Sequence, residues 1–200
     1  MGDTLSDLSG PTPALRIFVA LTLPEVHRRL LHHLAEDRPG LAWTPLEQLH
    51  VTLRFLGDVA PARMEPLAAA LERIQIMPFL LPLENMGVFP PHGLPKVVWI
   101  GLGQGHPALS QLRQRLDDTL LACGLDLDLR HFHPHVTLAR VRSAAAAESA
   151  RHFAKRHREF AGPPFKVEGF SLFASALHPE GARHEELHRF PLRPQSPKVG

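Results

Sequence analysis

The chain has 200 residues, of which 44% are hydrophobic and 21% charged, and its formal net charge is +2. This composition is typical of a globular protein with a substantial core, and the small charge allows an anionic substrate without indicating a long nucleic-acid-binding surface. The single cysteine, Cys123, excludes an internal disulfide and a cysteine-based zinc site.

The two ends of the chain differ in composition from the rest. Residues 1–14 are polar and rich in Gly, Pro and Ser, which predicts a disordered leader that lacks the features of a secretory signal. The Pro-rich segment 193–200 predicts a flexible tail, and we expect 15–192 to form a single domain. No apolar run approaches the roughly 18 residues of a membrane span. We therefore expect a cytoplasmic protein with no membrane partner.

Between these ends, β-branched and aromatic runs predict strands, and apolar spacings of three and four predict helices. The predicted strands cover 16–23, 41–44, 49–56, 79–88, 96–102, 133–141, 165–173 and 186–192. The predicted helices cover 24–37, 61–74, 107–124 and 143–157. The order of helix, strand, helix and strand pair occurs twice. This repeat predicts two similar lobes related by a pseudo-twofold, with strands able to cross between their sheets.

One four-residue motif occurs in both halves of the chain, as His50-Val51-Thr52-Leu53 and as His135-Val136-Thr137-Leu138. Each copy is predicted to be a β-strand, on which the His and Thr side chains share one face while Val and Leu share the other. Two copies facing each other would bring two imidazoles and two hydroxyls around one small anion.

This set of side chains suits phosphoryl chemistry. Imidazole gives or takes a proton near neutral pH, so two imidazoles on opposite sides of a phosphoryl group can serve as base and acid in one in-line displacement. Threonine hydroxyls can donate hydrogen bonds to the non-bridging oxygens, whose charge must be stabilised in the transition state.

The residues around the two motifs resemble the signatures of the two-histidine (2H) phosphoesterases. The similar segments are 50–57 (HVTLRFLG) and 132–140 (FHPHVTLAR), together with 16–20, Trp43 and 97–101. Within that superfamily, the chain is most similar to the bacterial RNA 2′,3′-cyclic phosphodiesterases, also called LigT-like or 2′-5′ RNA ligases. The resemblance implies an α+β fold with two pseudo-symmetric lobes of antiparallel sheet, helices packed outside and a central cleft. It also implies hydrolysis of a 2′,3′-cyclic phosphate to a 2′-phosphate without a metal or cofactor, and a possible reverse 2′-5′ ligation.

Carried over by position, the resemblance assigns His50 as the proton donor and His135 as the proton acceptor. Thr52 and Thr137 would bind the phosphate, and Arg140 would assist them.

Two arginines lie near the motifs, and strict alternation puts them on different faces of their strands. Arg140 lies five residues after His135, so strict alternation places it on the opposite face unless the strand ends or bulges. Arg54 lies four residues after His50 and has the parity of the site face. We rank Arg140 above Arg54 because of the family pattern.

The sequence departs from the family near its C-terminus, where a Ser is usually followed by a Tyr. Ser175 matches the Ser, but His184 stands at the position of the Tyr, and the chain contains no tyrosine. The base preference therefore stays open. Phe18 and Phe55 are candidate stacking surfaces for a base, although both are also typical core residues.

Three alternatives remain open at this point. The alternating His131, His133 and His135 would suit a metal-dependent hydrolase, but no acidic residue follows at motif-like spacing and Pro134 indicates that the strand begins there. The same two-histidine site could act on 2′-5′ oligonucleotides or small cyclic nucleotides. A third alternative is a non-catalytic RNA-binding module. The partner that we expect is RNA with a 2′,3′-cyclic phosphate end, such as a tRNA fragment, or a small cyclic nucleotide, bound by a monomer.

Overall fold

The computed structural model describes residues 15–103, 105–127, 132–178 and 181–194. The predicted leader, 1–14, and residues 195–200 of the predicted tail lie outside these ranges. Among the described residues, no helix is long and apolar enough to cross a membrane.

Nine strands and four helices are present in the described part of the chain. The strands are β1 (Leu15–Thr22), β2 (Leu41–Trp43), β3 (His50–Val59), β4 (Phe79–Phe89), β5 (Val97–Gly101), β6 (His135–Val141), β7 (Ala161–Val167), β8 (Gly169–His178) and β9 (Gly181–Pro191). The helices are α1 (Glu25–His32), α2 (Pro61–Leu71), α3 (Pro107–Ala122) and α4 (Ala146–Arg156). A short 3₁₀ turn, Leu46–Gln48, precedes β3.

Several boundaries differ from the sequence-based expectation. Helix α1 ends at His32 instead of near 37, because the next residues form tighter bonds such as that from the Leu34 N–H to the Leu31 carbonyl, 3.2 Å. Strand β7 begins at Ala161 in spite of its two prolines, because it is an edge strand whose outer side needs no hydrogen bonds. The single strand predicted over 165–173 is wrong, because the chain leaves one strand at Val167 and enters another at Gly169: β7 pairs with β4, whereas β8 pairs with β1. Strand β9 begins at Gly181 instead of 186, because polar residues are tolerated at the edge of the sheet where it lies.

The strands form one antiparallel sheet whose centre is the pair of motif strands. The strand order is β7-β4-β5-β6-β3-β1-β8-β9, and β2 also pairs with β6. Strands β3 and β6 pair through Val51 and Val136, which hold the same position in their two motifs. The sheet therefore divides there into a first lobe (β3, β1, β8 and β9) and a second lobe (β6, β5, β4 and β7). The predicted α+β, bilobal fold class is confirmed.

The two halves of the chain cross between the lobes. Strands β4 and β5 come from the first half of the chain but join the second lobe. Strands β8 and β9 come from the second half but join the first lobe. Helix α3 buries its apolar stripe of Leu109, Leu112, Leu116 and Leu120, as its spacing predicts. Helix α4 packs on β4, and α1 packs on β7. The helices leave the concave faces of the lobes to form the walls of a cleft.

Candidate active site

The two motif histidines are held by the same local device. His50 Nδ1 lies 2.7 Å from the Gln48 carbonyl oxygen, and His135 Nδ1 lies 2.7 Å from the His133 carbonyl oxygen. A carbonyl oxygen only accepts hydrogen bonds, so each Nδ1 carries a proton and donates it. In the neutral ring, Nε2 is then left unprotonated and able to accept a proton. Each imidazole is thus fixed in the tautomer that suits proton transfer through Nε2.

The motif threonines lie beside the histidines on the same strand face. Thr52 Oγ1 lies 3.0 Å from His50 Nε2. Because Val51 pairs with Val136 in an antiparallel ladder, the register also sets His50 next to Thr137 and Thr52 next to His135. The structure therefore brings the four motif residues together where the two lobes meet.

Each motif strand has a β-bulge at the fourth residue of its motif. In β3, Thr52 pairs with Ala20 while Arg54 pairs with Val19, so Leu53 is the extra residue. In β6, Thr137 pairs with Trp99 while Ala139 pairs with Val98, which makes Leu138 the extra residue. A bulge shifts the alternation of side chains by one residue. The faces of the residues that follow directly are therefore reversed relative to an ideal strand, until in β3 a second bulge at Leu56 restores the alternation.

Because of the bulge at Leu53, Arg54 lies on the face opposite to the one expected from its spacing to His50. Arg54 lies on the helix side of the sheet, where its Nε and an Nη donate to the Asp117 carboxylate at 2.9 and 2.5 Å. Its side chain is only 7% exposed. Arg113 of α3 shares the same carboxylate. The expectation that Arg54 has the parity of the site face is therefore wrong.

The same reversal returns Arg140 to the face of His135 and Thr137. Arg140 is also near enough to His50 and His184 that its positive charge lowers the pKa of both imidazoles. Arg140 thus lies on the face of the second motif and within electrostatic range of His50 and His184 in the first lobe, although strict alternation predicts the opposite face.

Burial makes both motif histidines weak bases. The pKa of His50 falls from 6.5 to about 4, chiefly because desolvation disfavours the charged ring. A second cause is repulsion from neighbouring positive charge, at His184, His135 and Arg140. Burial also lowers the pKa of His135. Both rings are therefore neutral at pH 7 when no anion is bound.

An aromatic cluster forms the wall of the first lobe. Phe18 is 1% exposed and packs against His50, with ring centroids 5.1 Å apart, and against Phe173. Phe55 contacts Phe18 but is 60% exposed. Of the two stacking candidates, Phe18 belongs to the core and Phe55 offers an open ring face. The bulge at Leu53, which the sequence does not reveal, explains why Phe55 faces the cleft.

His184 lies in this first-lobe wall. It pairs with Ser175 across β8 and β9, and its ring is perpendicular to that of His50 with centroids 5.3 Å apart. Its ring is also 4.8 Å from that of Phe18. The residue at the family's Tyr position is therefore a third imidazole of the cleft, and burial lowers its pKa.

The wall of the second lobe contains residues that sequence reasoning did not assign to the site. The ring centroid of Phe89 lies 5.2 Å from that of His135, and the centroid of Trp99 lies 6.4 Å away. Trp99 pairs with Thr137, so it shares the face of the motif. The sequence alone does not place Trp99 beside the second motif, because it does not reveal that β5 pairs with β6.

The metal-hydrolase alternative needs a set of ligands that the described residues do not supply. No group of three His, Cys, Asp or Glu residues in the described ranges could hold a metal ion. His133 and His135 do share a face, but Nδ1 of His135 is already bound to a carbonyl. His131 lies outside the described residues.

Comparisons with known proteins agree with this architecture. The sequence profile of the 2′-5′ RNA ligase superfamily matches residues 22–178. An RNA 2′,3′-cyclic phosphodiesterase of Geobacillus stearothermophilus is 30% identical over 181 residues, which cover 88% of this chain and 56% of the relative. The chain thus spans little more than half the length of that relative. An RNA 2′,3′-cyclic phosphodiesterase of Escherichia coli is 31% identical over 180 residues, which cover 88% of this chain and 96% of the relative.

A solved structure shows the same fold. The crystal structure of E. coli LigT complexed with 3′-AMP has a TM-score of 0.70 and 29% sequence identity. The superposition covers 90% of this chain and 99% of that one.

Proposed function

The chain belongs to the 2′-5′ RNA ligase superfamily, and from that membership we propose that it hydrolyses 2′,3′-cyclic phosphate ends of RNA to 2′-phosphomonoesters without a metal ion. The observation that carries this proposal is the pair of half-buried histidines, each fixed through Nδ1 by a backbone carbonyl. Two relatives that share about 30% of their residues with the chain are named for this activity.

The phosphate is held by the two threonines and one arginine. The hydroxyls of Thr52 and Thr137 donate to the non-bridging oxygens, and Arg140 supplies the positive charge. These donors are fixed on paired strands before the substrate arrives, so little reorganisation is needed as charge develops. In-line displacement then requires the attacking and leaving oxygens to lie on opposite sides of phosphorus, one beside each histidine.

Proton transfer assigns the histidines opposite roles. Nε2 of His135 takes a proton from water as the water oxygen bonds to phosphorus. The bond between phosphorus and the 3′ oxygen breaks, and His50 donates its Nε2 proton to that oxygen. The phosphate remains on the 2′ oxygen.

The acid role of His50 depends on substrate charge. A neighbouring anion favours the imidazolium, so the cyclic phosphate raises the pKa of His50 from the low value that burial gives it. The substrate itself thus promotes protonation of its acid. Burial keeps that imidazolium a strong proton donor once the leaving oxygen develops charge.

The substrate is a nucleotide end, in keeping with the 3′-AMP bound to E. coli LigT. Phe55 offers an exposed ring on the side of the cleft near His50, where the departing 3′ oxygen and its ribose lie. Bases stack on such rings with little sequence preference. RNA fragments, including those of tRNA, and 2′,3′-cyclic mononucleotides both fit this description.

The proposal is tested by incubating the protein with 2′,3′-cyclic CMP and with a cyclic-phosphate-ended oligonucleotide, each in the presence of EDTA. Phosphorus NMR should show the 2′-phosphate as the product. A 3′-phosphate product would reverse the substrate orientation and with it the acid and base roles. Loss of turnover on chelation, restored by zinc or manganese, would contradict metal independence. Binding without any turnover would favour an RNA-binding module.

A further inference from the structure

Three exposed cations, Lys96, Arg142 and Arg151, lie at the end of the cleft where β6 ends. We call them the basic rim. Within the described ranges, the salt bridges include none of these three side chains. Neither the phosphate site nor the proton transfer uses them. Their positive charge is therefore open to a partner from solution.

Backbone contacts bring the three cations of the basic rim together from separate parts of the chain. The Val141 N–H donates to the Lys96 carbonyl at 2.9 Å, so Lys96 lies opposite the last residue of β6. Arg142 follows directly in the chain. Arg151 reaches from α4 to the Gly93 carbonyl, in the turn between β4 and β5. The rim is thus a fixed part of the second lobe.

Arg140 connects the basic rim with the phosphate site. The Arg142 N–H donates to the carbonyl of residue 40 at 2.8 Å, which extends the ladder between β2 and β6 by one residue. Arg140 and Arg142 are two residues apart beyond the bulge at Leu138, so Arg142 continues the face of Thr137. The distance between them along the strand is about 7 Å. Positive charge therefore continues from the cleft to the rim.

The carboxylates on α4 and against it are held by other side chains. The Glu36 carboxylate binds Arg38 at 3.1 Å and also binds Arg156. The carboxylate of Glu148 lies 3.6 Å from His152. The basic rim therefore keeps its positive charge, which favours a partner with several negative charges.

The position proposed for the substrate directs the RNA chain toward the basic rim. Strands β3 and β6 are antiparallel, so Phe55 and Arg142, each of which follows its motif, lie toward opposite ends of the cleft. In ribose, the base is attached to C1′ and the 5′ carbon to C4′, on opposite sides of the ring oxygen. A terminal base on Phe55 thus leaves the 5′ chain at the end of the cleft where Arg142 lies.

We propose that the basic rim binds the phosphate backbone of the RNA that lies 5′ to the cyclic phosphate. This inference rests on the proposed function, because the RNA end must occupy the cleft between the two histidines. Each phosphodiester carries one negative charge, and a guanidinium can contact two of its oxygens at once. Backbone contacts carry no information about the bases. The rim therefore increases the affinity for RNA over that for a mononucleotide without selecting a sequence.

The test measures the affinity of a 2′-phosphate-ended oligonucleotide, the proposed product, by fluorescence anisotropy at several salt concentrations. Each phosphate contact with a single strand contributes about 0.7 to the slope of log affinity against log salt. Arg142→Gln should therefore reduce this slope by about 0.7, and the double variant with Arg151→Gln by about 1.4. Arg142→Gln should also weaken binding about two- to fivefold, as expected for one exposed ion pair. The affinity of 2′-CMP, whose 5′-hydroxyl carries no further nucleotide, should stay unchanged.

Arg115→Gln, on the exposed face of α3, is the matched control and should keep the wild-type slope. A wild-type slope in the double variant would overturn the inference. An equal loss of affinity for 2′-CMP and for the oligonucleotide would also overturn it, because the two arginines would then act on the phosphate in the cleft. Turnover of 2′,3′-cyclic CMP reports separately on the proposed function, so the two failures are distinguishable.

Discussion

The depressed pKa of His50 predicts that this single residue makes the folded protein sensitive to acid. The pKa of the ring is near 6.5 in the unfolded chain, whereas burial in the folded protein lowers the pKa to about 4. Between pH 6.5 and about 4, the unfolded state therefore binds a proton that the folded state does not bind. The stability due to the neutral ring is complete above pH 6.5 and is lost as the pH falls to about 4.

The size of this loss of stability follows from the difference between the two pKa values of His50, 6.5 − 4 = 2.5. At about 1.36 kcal/mol per unit, the loss due to His50 is about 3 kcal/mol. This is a large share of the free energy of unfolding of a typical domain.

The assay is urea unfolding at pH 7.5 and at pH 4 for the wild-type protein and for His50→Gln, whose side chain does not titrate. Between the two pH values, the wild-type protein should lose about 3 kcal/mol more of its free energy of unfolding than the variant. His92→Gln, in the exposed turn between β4 and β5, is the matched control and should behave like the wild-type protein. Inorganic phosphate should reduce this difference between the wild-type protein and His50→Gln, because an anion bound beside His50 favours the imidazolium. Equal losses in the wild-type protein and His50→Gln would refute the reasoning.

Three further predictions concern activity and the two arginines. The value of kcat/KM for 2′,3′-cyclic CMP should peak below pH 6.5, because catalysis needs one neutral and one protonated histidine and the pKa values of both His50 and His135 are lowered; a pH-rate profile that peaks above pH 7 would contradict this. Arg140→Lys should raise KM about tenfold, since an ammonium loses the two-point contact with phosphate, and an unchanged KM in steady-state kinetics would exclude Arg140 from the phosphate site. Arg54→Met should lower the free energy of unfolding by about 1–3 kcal/mol, because the Asp117 carboxylate loses a partner. Weaker phosphate binding by this variant at unchanged stability would instead place Arg54 in the site.

The sequence predicts which sheet face the motif His and Thr side chains share, but it does not predict the faces of Arg54 and Arg140. His50 and Thr52 share a face because they are two residues apart on a strand, and this needs no knowledge of the rest of the chain. The bulges at Leu53 and Leu138 carry no signal, since leucine at a bulge looks like leucine in any strand. A bulge depends on the register with the neighbouring strand, which sequence periodicity does not contain. This is why alternation places Arg54 and Arg140 on the wrong faces.

Long-range pairing is the second feature that sequence patterns do not reveal. The repeat of elements predicts two lobes and allows strands to cross, but it does not say that β8 joins β1 or that β5 joins β6. Trp99 and His184 enter the cleft only through those pairings. His184 also lies in a polar segment that does not look like a strand, so the hairpin that brings its ring toward His50 is longer than predicted.

The central claim is that the two histidines act as one site on a cyclic phosphate. The most direct test is the single-turnover rate of 2′,3′-cyclic CMP hydrolysis in EDTA for the wild-type protein, His50→Ala, His135→Ala and the double variant, with folding checked by circular dichroism. Each single variant should lose on the order of a hundredfold or more, the usual scale for one general acid or base. The double variant should lose less than the product of the two, because residues that work as a unit are not additive. Full activity in either single variant, or losses that multiply, would contradict a shared site.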